Sequence, residues 1–277
     1  MSLMWKLLAT TLLLSSFAQA SVISEKVEDF LDDEFGSNPR ITDLNVEVID
    51  EKPLSQLKGW NSYVVLVEAR LKQNPKELIK QRMIWFSNGT VITKELIGLS
   101  DAKPYSNFVK PDFQKEYYKK ENLVFGNPNA KHKVAIFSDP LCPFCKDFAP
   151  EALRYMKRYP NDFAVYYYHF PLVRIHPASA VIVRAAVAAE RKGVKNVSIK
   201  MYDIKIGARE KDVKKILRAF NDAVGTNITQ KDIDTAGVKE QIKKDKEIAT
   251  YLFVGGTPTI YVDGKLDKTR KKYKTVK

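Results

Sequence analysis

Both cysteines of this 277-residue chain lie in one stretch, Asp139-Pro140-Leu141-Cys142-Pro143-Phe144-Cys145-Lys146. The apolar run KVAIFS (133–138) leads into it with the pattern of a buried strand. CKDFAPEALRYMKRYP leaves it with helical spacing. Two thiols three residues apart thus sit where a strand hands over to a helix. Three kinds of site are open to such a pair: a structural disulfide, half of a metal centre, or a redox couple. A disulfide closing a four-residue loop constrains the unfolded chain little, because the entropic gain grows with loop length. A metal centre needs further ligands, and the chain has three histidines, His132, His169 and His176, and no second cysteine pair.

Pro143 is suited to the first helical position, which puts Cys142 at the helix N-cap. Unpaired backbone N–H groups and the helix dipole favour negative charge there, so Cys142 is expected to be an exposed nucleophile. Cys145, one turn further in, is expected to hold its proton more tightly and to act as the resolving thiol. Leu141 and Phe144 would flank the sulfur.

The first twenty residues, MSLMWKLLATTLLLSSFAQA, have one Lys6, an apolar centre and small residues Ala18 and Ala20. That is the layout of a secretory signal peptide cleaved after Ala20; the other reading is an uncleaved anchor, for which the apolar run is short of the ~20 residues a span needs. Export places the thiols in a compartment where disulfides persist. The 46 Lys and Arg against 33 Asp and Glu give +13. They are dispersed except in the tail KTRKKYK, and no nucleic-acid motif accompanies them, so a solvated basic surface is expected and nucleic acid is not expected as a partner.

Residues 21–100 read as a separate small α+β domain. Val22, Ile23, Val27, Phe30, Leu31 and Phe35 recur at helical spacing up to Gly36, and strand patterns follow at 45–49, 63–71 and 81–96, the last holding the hairpin dipeptide Asn88-Gly89. Asn88-Gly89-Thr90 also fits a glycosylation sequon, but a turn explains it. This domain has neither Cys nor His, and pairing with a second copy would cover its sheet edge. A proline-punctuated connector, 101–128, with a short helical piece near 112–122, precedes the second domain, 129–277. There a strand at 163–170 and a helical block at about 177–250 follow the cysteine helix, which Pro150 should kink without ending. The chain closes through Gly256-Thr257-Pro258-Thr259 into TIYVDG, with a hairpin at Asp263-Gly264.

The strand VAIFSD, the pair Cys142-Pro143-Phe144-Cys145 opening a helix, and Thr257-Pro258 before a strand together resemble the thioredoxin-fold oxidoreductases of the periplasmic Dsb group. Within it the layout is similar to the disulfide isomerases DsbC and DsbG. The resemblance implies an α/β thioredoxin-like domain with a helical insertion, preceded by a small dimerisation domain and a helical linker. It implies a cis Pro258, with Thr257 beside the reactive sulfur and Thr257, Pro258, Pro143 and Phe144 contacting substrate. It also implies a periplasmic homodimer acting on unfolded or misoxidised exported proteins, with a membrane redox partner and no cofactor. Pro143-Phe144 and Thr257-Pro258 depart from the oxidase DsbA. Only thirteen residues follow Gly264, so the closing helix usual in this fold must be short. A dithiol oxidase, a holdase-type chaperone and a copper-delivery protein are the alternatives.

Overall fold

The computed structural model describes residues 22–276. The secretory leader read over residues 1–20 lies outside the described residues. The chain divides into two compact units between Lys110 and Pro111.

In the first unit a helix, α1 (22–36), precedes a four-stranded antiparallel sheet of β1 (Ile41–Pro53), β2 (Asn61–Leu71), β3 (Asn74–Ser87) and β4 (Ile92–Thr93), in that order across the sheet. The apolar stripe of α1 sets Val27 and Leu31 against Tyr63, Val65 and Trp85, which share one face of β2 and β3. Glu28 of α1 accepts the Val48 N–H at 2.6 Å, next to a bulge in β1. The stretch expected at 81–96 is split by the Asn88-Gly89 hairpin into β3 and β4, as its turn dipeptide implies, and differs in where β3 begins, at Asn74 rather than Gln81. Residues 74–80 are mostly exposed and polar, so no alternation marks them; the ladder to β2 draws them in, with an irregularity that takes up Pro75. The Asn88 side chain accepts from the N–H groups of Thr90 and Val91, both at 3.0 Å, and Gly89 takes φ +85°, so the Asn-Gly dipeptide closes the β3–β4 turn. A single helical turn, α2 (Ser106–Val109), ends this unit, with Ser106 Oγ donating to Glu95 at 2.9 Å.

The second unit starts within the stretch expected to be a helical connector. Its pieces there are two 3-10 turns, Lys115–Tyr117 and Lys120–Asn122, and a strand, β5 (Leu123–Phe125). Phe113 is buried among Tyr117, Tyr118, Phe137, Tyr168 and Tyr261. This aromatic packing attaches the segment to the sheet that follows. The sheet then adds β6 (His132–Ser138), α3 (Pro143–Lys157) and β7 (Phe163–His169). The helical block follows as α4 (Ser179–Arg191), α5 (Val197–Lys200), a 3-10 turn Met201–Asp203, α6 (Val213–Val224), α7 (Gln230–Ile233) and α8 (Ala236–Tyr251). Two short strands, β8 (Thr259–Val262) and β9 (Lys265–Leu266), complete it. The sheet order is β5-β7-β6-β8-β9, with β6 and β7 parallel and the other pairs antiparallel.

The central strands are covered on both faces, as a parallel pair joined by a crossover helix requires. Val134, Ile136, Phe163, Val165 and Tyr167 point into one core with α3, α4 and α6; Ala135, Phe137, Ala164, Tyr166 and Tyr168 point into the other with Ile248, Ala249 and Leu252 at the end of α8. Each fully buried large side chain contributes about 1.5–3 kcal/mol. Helix α3 runs through Pro150 without ending. Beyond β9 the chain makes one 3-10 turn, Lys272–Lys274, whose Tyr273 packs edge-on against Phe148 and Tyr155 of α3.

Candidate active site

Strand β6 ends at Ser138, and Asp139 turns the chain toward α3. The Asp139 carboxylate is wholly buried and accepts four hydrogen bonds: from the N–H groups of Leu141 and Leu172 and the hydroxyl of Ser179, each at 2.7 Å, with the His176 ring at 3.1 Å. It ties the turn before the cysteines to the loop after β7 and to the start of α4. A lone acidic residue inside the apolar run FSDPLC was the one sequence sign of it.

Cys142 is the N-cap of α3 with extended backbone (φ −67°, ψ 124°), and Pro143 takes the first helical position. The Cys142 carbonyl accepts the N–H groups of Cys145 and Lys146, both at 3.0 Å, closing the first turn. Both cysteines are free thiols. Cys142 is not exposed as the sequence suggested: only 4% of it is accessible, and it belongs to the core cluster that holds Leu141 and Cys145. Its sulfur lies 3.6 Å from the Thr257 carbonyl oxygen and can donate to it. The peptide bond between Thr257 and Pro258 is cis. Leu141 is buried in the core, whereas Phe144 is 68% exposed at the turn.

Cys145 is fully buried, and that burial pushes its thiol up to about 11, against the smaller opposing pull of the Ser138 side chain and the Asp139 backbone N–H. The two thiols thus differ sharply in setting. One caps a helix beneath a backbone carbonyl, and the other is sealed in the core behind it. The three histidines stand apart from the thiols' sulfur atoms in their pairing: His132 with Asp263, His169 with Glu190, and His176 with Asp139. Among the described residues no group of three or more His, Cys, Asp and Glu side chains could hold a metal ion.

A family model described as thioredoxin matches residues 119–277. The chain belongs to the thioredoxin family. That membership covers the second unit, cysteine turn and cis proline included; the family match does not reach the first unit. Among curated proteins this thioredoxin-family chain is 27% identical over 152 residues to a Na(+)/H(+) antiporter NhaA 1 of Mycobacterium sp. (strain KMS), covering 52% of this chain and 24% of that protein. A similar antiporter of Mycolicibacterium gilvum is 26% identical over 149 residues, 51% of this chain and 23% of the relative. The match therefore spans about a quarter of these relatives' length, and antiport is a property of those proteins. No helix among the described residues is long and apolar enough to cross a membrane.

Solved structures similar to the chain include oxidised BdbD from Bacillus subtilis, at 17% identity and a TM-score of 0.48, covering 60% of this chain and 92% of that one. Proteus mirabilis ScsC in a compact conformation has 21% identity and a TM-score of 0.44, covering 55% and 73%. A putative protein-disulfide isomerase from Pseudomonas syringae has 16% identity and a TM-score of 0.45, covering 53% and 89%. All three scores lie below 0.5, and the family assignment stands on the sequence match.

Proposed function

We propose that the chain is an exported thiol–disulfide oxidoreductase that works as a disulfide isomerase or reductase of the DsbC/DsbG kind, a periplasmic homodimer acting on misoxidised proteins. The observation that carries this reading is the placement of Cys142: a free thiol at a helix N-cap, 3.6 Å from the Thr257 carbonyl, with Cys145 buried one turn behind. The helix N-terminus favours the charge that attack requires. A substrate strand laid beside Thr257 and Pro258 would replace the contact between Cys142 and Thr257, with Pro143 and exposed Phe144 forming the other lip.

In the first step the Cys142 thiolate attacks one sulfur of a substrate disulfide. A new S–S bond forms to Cys142 and the second substrate sulfur leaves with the electron pair. The mixed disulfide then has two exits. A different substrate thiol attacks it, releasing a rearranged substrate with Cys142 reduced again. Otherwise Cys145 attacks, leaving a reduced substrate and a Cys142–Cys145 disulfide that a membrane redox partner must reduce. Protein reduction of insulin disulfides tests the assignment. Activity should be lost in Cys142→Ser, and a Cys142→Ser protein that retains full activity overturns it.

A further inference from the structure

Cys145 faces an unusual set of groups for a thiol that has to ionise. Cys145 packs in one buried core cluster with Tyr167 and Tyr202, and the side chain of fully buried Ser138, the last residue of β6, draws the Cys145 thiol down against the upward push of burial. The Ser138 oxygen lies 2.6 Å from the phenol oxygen of Tyr202, on the 3-10 turn after α5, and that oxygen lies 2.6 Å from the phenol oxygen of Tyr167 on β7. The titratable groups around Cys145 are Cys142 on its own helix, Tyr167 on β7 and Tyr202 on the insertion, with Asp139 facing Tyr202. Burial raises both phenols far above their ordinary range, so they remain O–H donors at any pH the protein meets.

Three hydroxyls in a row have three hydrogens, and their two mutual contacts use two. The third is free to point at the sulfur when the row runs from Tyr167 to Tyr202 to Ser138. We propose that Ser138, Tyr202 and Tyr167 form a hydroxyl chain that delivers a hydrogen bond to Cys145 as it becomes a thiolate and resolves the mixed disulfide at Cys142. The inference rests on the disulfide-exchange reading above and assigns these three as positioning residues for its second step. In that step the bond between Cys142 and the substrate breaks, the Cys142–Cys145 bond forms, and the substrate sulfur leaves with the electron pair. The proton Cys145 gives up is matched by one the leaving sulfur takes up, and the hydroxyl chain holds the negative charge in between. A buried thiolate without such a donor pays the full cost of desolvation.

Ellman's reagent, 5,5′-dithiobis(2-nitrobenzoate), separates the two steps in stopped flow, because Cys142 releases one coloured thiolate on attack and Cys145 releases a second on resolution. The reduced full-length protein and its Ser138→Ala, Tyr202→Phe and Tyr167→Phe variants are compared across pH, with Cys145→Ser defining the first release alone. A lost hydrogen bond to a charged group predicts a second release about tenfold slower at pH 7 in Ser138→Ala, and a smaller slowing in Tyr202→Phe. In both, the pH midpoint of that release moves upward while the first release still runs. The phenylalanine variants keep the ring volume and carry the test should Ser138→Ala fail to fold. An unchanged second release in the folded variants overturns the chain, and so does a slowed one whose pH profile has not moved. Failure of the wild-type protein to give the first release overturns the disulfide-exchange reading itself.

Discussion

Asp139 and Cys145 show how single buried groups shape this site. Four donors converge on the Asp139 carboxylate. Asp139→Ala leaves them without an acceptor, two of them backbone N–H groups, and is expected to cost about 3 kcal/mol or more of unfolding free energy in urea titration. Cys145 carries a pH signature of its own. Its thiol titrates near 9.0 when unfolded and is pushed to about 11 in the folded protein, so the fold prefers the neutral form. The stability this provides is present below pH 9 and is lost as pH rises through 11. Urea titration of the reduced protein should show that fall, and Cys145→Ala should remove it. The cysteine pair and its helix were legible because spacing and Pro143 state them locally. Asp139, Ser138, Tyr167 and Tyr202 were not, since their roles depend on partners up to 64 positions away.

At the scale of elements, one connection and one buried cluster govern how the second unit holds together. Gly126 ends β5 with φ +88°, and a Cβ there would lie 1.8 Å from the Phe163 carbonyl oxygen at the start of β7. Gly126→Ala forces the β5–β7 pairing apart and is expected to lower the melting temperature by about 10 °C, the shift that roughly 3–5 kcal/mol produces at about 2–4 °C per kcal/mol. The end of β7 meets α8 through Asp245, which accepts the His169 N–H at 2.9 Å and the Asn122 side chain at 2.8 Å, while the His169 ring faces Glu190. Burial raises Asp245 to about 7; for His169 burial lowers the pKa, but the Glu190 side chain outweighs it and the net shift is upward. Both raised groups favour the protonated form in the fold, so their stabilising contribution is full at low pH and declines as pH rises through 7. The urea midpoint should fall between pH 5 and pH 8, and Asp245→Asn should flatten that slope whatever it does to absolute stability. Sequence periodicity located the helical block and Asn88-Gly89, but it missed the start of β3, where polar residues 74–80 are held by backbone pairing. It also took 112–122 for a linker helix, although the aromatic contacts of Phe113 are made with residues far along the chain.

For the whole molecule, the proposed homodimer implies a specific mass in solution. Sedimentation equilibrium should return twice the chain mass, and a monomer at micromolar concentration would count against the isomerase form of the proposal while leaving the thiol chemistry intact. The +13 charge belongs to the same scale: if the proposed client proteins are acidic, association rates should fall with added salt, and rates independent of salt would leave the basic surface as a solvated one. The central claim is the division of labour between the two thiols, Cys142 attacking and Cys145 releasing. Its most direct test is to incubate the Cys145→Ser protein with a disulfide-bonded client, quench in acid, alkylate, and map the covalent adducts by mass spectrometry. The account predicts a long-lived mixed disulfide at Cys142 that wild-type protein does not accumulate; no adduct at Cys142, or equal accumulation with Cys145 intact, would contradict it.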